Sequence, residues 1–225
     1  MHIDYLKSSL GTLATQIPGA TGVFHQHNLN FCCGGHHSLA EAAAEKGLDP
    51  QQIIKQLQSL EQQPGSGRDW TQASESELIE HLLQRYHDRH REQLPELIRL
   101  ARKVEQVHND HPACPHGLAD HLSDMLQELE SHMLKEEQIL FPMLARGQIA
   151  MAGGPISVMR FEHDQHGEAL AQLQRLSNDA CPPEGACRTW QALYLGLQEL
   201  RQDLMDHIHL ENNILFASSP RPSWS

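Results

Sequence analysis

Apolar residues recur every three or four positions along most of the chain and almost nowhere in strict alternation. That period belongs to helices with one buried face, and the β-branched, turn-bounded runs that mark strands are nearly missing. Four long stripes follow one another in the second part of the chain. The first spans about 75–108 and carries Leu83, His87, His90, Leu94, Ile98, Ala101 and His108. Ser74 and Glu77 form a capping pair at its start, and Pro95 predicts a kink. The second spans 117–145, with Leu118, Leu122, Met125, Leu129, His132, Glu136, Leu140 and Met143, and Gly147 stops it. The third is expected to begin at Pro155, a favoured first helical position, and carries Ile156, Met159, His163, His166 or Gly167, Leu170 and Leu173. The fourth spans 186–216, with Trp190, Leu193, Leu197, Leu200, Leu204, His207, Glu211 and Ile214. Four such stripes joined by short to medium loops predict an all-α protein whose main part is an antiparallel four-helix bundle.

A smaller unit precedes the bundle. Leu10, Leu13 and Ile17 share a face; Ala20, Val23 and Phe24 continue after Pro18. Phe31-Cys32-Cys33-Gly34-Gly35 reads as a tight turn, Ser38 opens a helix that Gly47 closes, and Pro50 starts another with Ile53, Ile54, Leu57 and Leu60. The expected organisation is a helical Cys-Cys module over 1–62, a linker over 63–74 containing Pro64-Gly65-Ser66-Gly67, the bundle over 75–217, and a flexible tail over 218–225. A module of about 60 residues has a marginal core by itself.

Composition adds two constraints. The 225 residues carry 29 Asp and Glu against 17 Lys and Arg, a formal net charge of −12, which disfavours binding to nucleic acid or to an anionic membrane. No segment has the length and apolarity of a membrane span or signal peptide. The five cysteines are odd in number and irregular in spacing, unlike a disulfide framework, so reduced thiols in the cytoplasm are expected. The 17 histidines equal all Lys and Arg together, far above ordinary usage.

Position matters more than that excess. Each of the four apolar stripes holds a histidine: His87, His132, His163 and His207. Glu136 and Glu211 follow two of them by four residues, which puts each pair on one helix face. His-x-x-x-Glu occurs three times in the chain, His37/Glu41 included, so the spacing alone says little. Its phase is informative, because both bundle copies fall on buried stripes. A buried carboxylate requires a partner or a metal. Four imidazoles and two carboxylates exceed one tetrahedral zinc and suit two metals bridged by the glutamates. A nitrogen and oxygen set without sulfur fits iron, manganese or zinc. His90 and His108 are candidate supporting or replacement ligands, and Asp88, Asp164 and Asp206 read as a solvated face. Cys114, Cys181 and Cys187 suggest no role, and His111, His116 and His121 read as surface residues.

Five stretches together resemble a known family: Asn30-Phe31-Cys32-Cys33-Gly34-Gly35, Arg85-Tyr86-His87-Asp88-Arg89-His90-Arg91-Glu92, Ser131-His132-Met133-Leu134-Lys135-Glu136-Glu137, Glu162-His163-Asp164 and Asp206-His207-Ile208-His209-Leu210-Glu211-Asn212-Asn213. The bundle resembles a hemerythrin-like di-iron domain, and nearly the whole chain is similar to the RIC (repair of iron centres) family of iron–sulfur cluster repair proteins. The resemblance implies two non-haem irons, oxo- and carboxylate-bridged, on His87, His132, Glu136, His163, His207 and Glu211. It implies repair of clusters damaged by nitrosative or oxidative stress through iron donation, with damaged or apo iron–sulfur proteins as partners. Cys32-Cys33 would receive, pass on or reduce iron, and His25, His27, His36 and His37 lie near them in sequence. Two alternatives stay open: NO reduction to nitrous oxide at the di-iron centre, and O₂ or NO binding and sensing. A homodimer is compatible with all three.

Overall fold

A computed structural model describes residues 3–33, 35–62 and 68–217. The expected linker residues 63–67 and the expected tail 218–225 lie outside the described residues. Every named element among the described residues is helical, and the one β-type contact is an isolated bridge between Ser9 and Ser38.

The chain forms two compact units. Among the described residues, the first comprises those up to Leu78 together with those from Met205 onward. It contains α1 (Leu10–Gln16), α2 (Ala20–Gln26), α3 (Leu39–Glu45) and α4 (Pro50–Glu61). Each start has a local cause. Ser9 Oγ accepts from Thr12 N at 3.2 Å; Ser38 and Glu41 form a reciprocal capping box; Asp49 caps α4 and Pro50 follows at its first turn. Gly19, at φ 87°, adopts the left-handed conformation that lets α2 turn away from α1. Leu10, Leu13, Ile17, Phe24, Phe31, Leu39, Ile53 and Leu57 are wholly buried. Backbone bonds tie the strand-like segments before α1 and α3 together: Leu10 N donates to His37 O at 3.0 Å, and Gly11 N to Gly35 O at 2.9 Å. The end of the chain completes this core with buried Ile208, Leu215 and Phe216. That contribution answers the shortage of apolar area expected for the N-terminal segment alone.

The second unit covers Ile79–Leu204. Helix α5 spans 75–107, α6 spans 118–145, α7 is Ile149–Leu176, and α8 spans 188–215, its last part belonging to the first unit. The cross-helix pairs run in opposite directions. Between α5 and α6 they are His87–Glu137, Arg91–Glu130 and Glu105–Ala119. Between α6 and α7 they are His132–Glu162 and His121–Ala169. Between α5 and α8 they are Arg85–Asp203, Arg89–Glu199 and Gln93–Gly196. Falling numbers against rising ones make these neighbours antiparallel, as the short loops require. Gly196 permits the close approach of α8 to α5, since a Cβ there would sit 2.6 Å from Leu97 Cδ2.

Two boundaries differ from the sequence expectation. Helix α7 begins at Ile149, and Pro155 lies inside it. Gly153-Gly154-Pro155 suggests a break, yet a proline in the second turn costs only the bond to an early carbonyl, and buried Ala152 anchors the first turn. Helix α5 stays α-helical through Pro95, and its departure from α geometry lies earlier, in a π-helical turn at Leu83–His87.

Candidate metal centre

Each of the six candidate ligands sits on a buried stripe: His87 on α5, His132 and Glu136 on α6, His163 on α7, His207 and Glu211 on α8. All are at most 1% exposed. Three of the four helices widen into a π turn at the candidate ligands. Leu83–His87 ends on His87, Glu136–Leu140 begins at Glu136, and Glu211–Leu215 begins at Glu211. Helix α7, which supplies one candidate ligand, is α throughout. Such single π turns redirect side chains locally and recur at functional sites. No glycine or proline marks them in the sequence.

Side-chain atoms converge in two sets. Ligand atoms of His87, Glu136, His207 and Glu211 lie within 4.8 Å of one another, and so do those of His132, Glu136, His163 and Glu211. Both glutamates occur in both sets. Glu136 Oε1 is 3.4 Å from His132 Nε2, and its Oε2 is 3.5 Å from His87 Nε2. His132 Nε2 and His163 Nε2 are 3.1 Å apart, as are His207 Nε2 and Glu211 Oε1. Donors about 2.1 Å from a metal stand about 3.0–3.4 Å from each other along the edges of a coordination shell, so these separations suit metal ligation.

The outer nitrogens fix the proton positions. A carboxylate only accepts, so His87 Nδ1–H donates to Glu137 Oε1 at 2.8 Å and His132 Nδ1–H donates to Glu162 Oε2 at 2.9 Å. In their neutral forms both rings present an Nε2 lone pair on the side of Glu136, where His132 Nε2 also meets His163 Nε2. Imidazole nitrogens and carboxylate oxygens converging on one buried space are the donor set of a cation site.

Glu137 and Glu162 were not among the sequence candidates. Each adjoins a candidate ligand in the chain, Glu136 and His163, but lies on the shoulder of the apolar stripe, where a carboxylate looks solvated. Burial works to raise Glu137, while hydrogen bonds from Arg91 and His87 hold it below the ordinary carboxylate range. The hydrogen bond from His132 outweighs burial at Glu162 and, with Lys135, holds it at about 2. Both therefore stay charged and orient the imidazoles. Glu162→Gln should weaken iron binding by about 10–100-fold. Chelator competition measures this, and an unchanged affinity would remove the orienting role.

His90 is fully buried beside the Tyr86 ring. His108 caps α5, with Nε2 3.2 Å from Cys187 Sγ and its ring 5.0 Å from Trp190. Those contacts account for its place on the stripe. Two surface assignments change: His121 Nε2 lies 2.8 Å from Ala169 O, and His111 packs edge-on against Trp190. Asp206 is not simply solvated either, because His25 Nε2 pairs with it at 3.0 Å.

Cys32 and Cys33 are buried, with their Sγ atoms 3.3 Å apart. Asn30 Oδ1 accepts from Cys32 Sγ at 3.3 Å and from Cys33 N at 3.2 Å. Of the nearby histidines, His25 engages Asp206, His27 engages Gln56 at 2.8 Å, and His36 stacks against His37.

Comparison with known proteins agrees with this geometry. Residues 78–218, more than half the chain, match the Hemerythrin HHE cation binding domain, a di-iron class of helical domain. Residues 6–61 match a Domain of Unknown function (DUF542). Two curated relatives from Yersinia pseudotuberculosis, serotype O:1b (strain IP 31758) and serotype O:3 (strain YPIII), carry the name iron-sulfur cluster repair protein YtfE. Each is 53% identical over 219 residues, covering 97% of this chain and 99% of the relative. The chain belongs to the YtfE family of hemerythrin-type proteins.

Proposed function

We propose that the protein repairs damaged iron–sulfur clusters by holding two irons on His87, His132, Glu136, His163, His207 and Glu211 and giving iron up to the cluster protein. The observation that carries this reading is the pair of buried ligand sets that share Glu136 and Glu211, in a chain 53% identical to a curated repair protein over nearly its whole length. Bound there, iron supplies a redox-active cation held mainly by neutral imidazoles. The chain's residues govern its release. Glu136 and Glu211, which belong to both ligand sets, would hold both irons, so withdrawal of either carboxylate from one set would leave that iron with fewer donors. Glu137 and Glu162 keep the imidazoles aimed while that happens. The Cys-Cys module over 1–62 and the bundle over 75–217 act as distinct functional parts, with Cys32 and Cys33 as an intermediate thiol station.

Damaged or apo iron–sulfur proteins are the partners in this reading. Five free cysteines support a cytoplasmic location, and no helix among the described residues is long and apolar enough to cross a membrane. Two adjacent metal positions also suit side-by-side binding of diatomic ligands such as NO, which keeps NO reduction as the second reading.

Anaerobic incubation of an NO-inactivated cluster-dependent hydratase with ⁵⁷Fe-loaded protein tests the proposal. The expected result is recovered activity with ⁵⁷Fe in the rebuilt cluster, and little recovery with Glu136→Leu protein. Equal recovery with both would overturn the site. Nitrous oxide release on NO addition, without iron transfer, would favour the second reading.

A further inference from the structure

The end of helix α8 carries two interleaved stripes. His207 and Glu211, four residues apart, face the candidate metal centre. Asp206, His209 and Asn213, spaced i, i+3 and i+7, share a different face. That second face holds the thiol loop. Asp206 Oδ1 pairs with His25 Nε2 at 3.0 Å, and the Phe31 ring lies edge-on between His25 and His209, with centroids 5.0 and 5.5 Å away. The Asn213 side-chain amide donates to His209 Nδ1 at 2.9 Å. The same Asn213 amide donates to Phe31 O at 3.5 Å, and Asn212 Nδ2 donates to Cys32 O at 3.5 Å. From the other side, Gly11 closes on both partners: a Cβ there would lie 2.8 Å from Asn213 Oδ1 and 3.1 Å from Gly35 O.

Glu211, Asn212 and Asn213 also belong to one π turn, Glu211–Leu215. A shift of the Glu211 backbone therefore moves both asparagine amides. Their bonds to the loop carbonyls are at the long limit for hydrogen bonds and break with small displacements.

We propose that Asn212 and Asn213 are positioning residues that latch the Cys32–Cys33 loop to the turn bearing Glu211, so that metal at Glu211 keeps the thiols covered and loss of metal exposes them. The inference rests on the functional reading above and adds an order of events to it. The thiols become able to take iron only when the carboxylate has let it go. By linkage, occupation of the exposed thiols weakens metal binding at Glu211 by the same factor.

The test compares maleimide labelling of the full chain, anaerobically, loaded with ferrous iron and stripped of it. The thiolate sulfur adds across the maleimide double bond, a proton completes the adduct, and peptide mass spectrometry reads each cysteine. In wild-type protein, Cys32 and Cys33 should label about tenfold more slowly when iron is bound, while exposed Cys181 labels equally in both states. Asn212→Ala/Asn213→Ala protein should bind the same iron and label fast in both. Gly11→Ala, which changes no residue of α8 but crowds Asn213 and the loop carbonyl of Gly35, should also lose most of the difference. Iron bound with equal labelling in wild type overturns the latch alone. A difference that survives the double substitution also overturns it, because iron would then be shielding the thiols directly. Failure of wild-type protein to bind iron overturns the latch and the functional reading together.

Discussion

Replacing Glu136 or Glu211 by leucine is expected to lower the occupancy of both irons together. Each carboxylate belongs to both ligand sets, whereas His87 and His207 belong to one and His132 and His163 to the other. Losing a shared carboxylate removes one donor from each set and one negative charge from the space between two cations. Losing His163 removes one donor from a single set. Anaerobic reconstitution followed by iron analysis should therefore find two irons per chain in wild type, about one in His163→Ala, and well below one in either leucine variant. Leucine is close to glutamate in volume and suits a buried stripe, so the helices persist and circular dichroism stays unchanged. A leucine variant that kept one tight iron would show that the carboxylate serves one metal only.

Stripping the metal should cost much of the protein's stability. Glu136 and Glu211 are both fully buried and face imidazole nitrogens. With iron, their charge is neutralised in place. Without it, the site must take up protons or keep carboxylates in a medium that solvates them poorly. Breaking a buried charge pair typically costs about 3–5 kcal/mol. For a chain of this size that corresponds to a fall in Tm of about 6–20 °C, read by calorimetry on loaded and chelator-treated protein. The substitution reverses the order in the stripped state. Metal-free Glu136→Leu protein should melt above metal-free wild type, because one buried carboxylate is gone. A stripped wild type that melts with the loaded protein would mean the carboxylates are satisfied without metal.

Much of this architecture was readable from the sequence, for a definable reason. A polar residue in phase with an apolar stripe is conspicuous, and all six candidate ligands were such residues. Helix starts were readable where a side chain caps them or a proline opens them, as at Ser38, Pro50 and Ser74, whereas the caps at Ser9 and Asp49 emerged only in the structure. What stayed hidden depends on contacts between distant segments or on backbone geometry without a residue signature. The π turns at His87, Glu136 and Glu211 carry no marker residue. Glu137, Glu162 and Asp206 look solvated until His87, His132 and His25 are found beside them. Helix α7 begins before its glycine pair because packing of Ala152 outweighs local preference. The share of the last helix in the N-terminal core follows from tertiary structure alone.

The central claim, two irons joined through Glu136 and Glu211, is tested most directly by iron X-ray absorption on the reconstituted protein. The account predicts a nitrogen- and oxygen-only first coordination shell and an iron–iron vector of about 3–4 Å. A sulfur shell, or iron without a second iron at that distance, would contradict it.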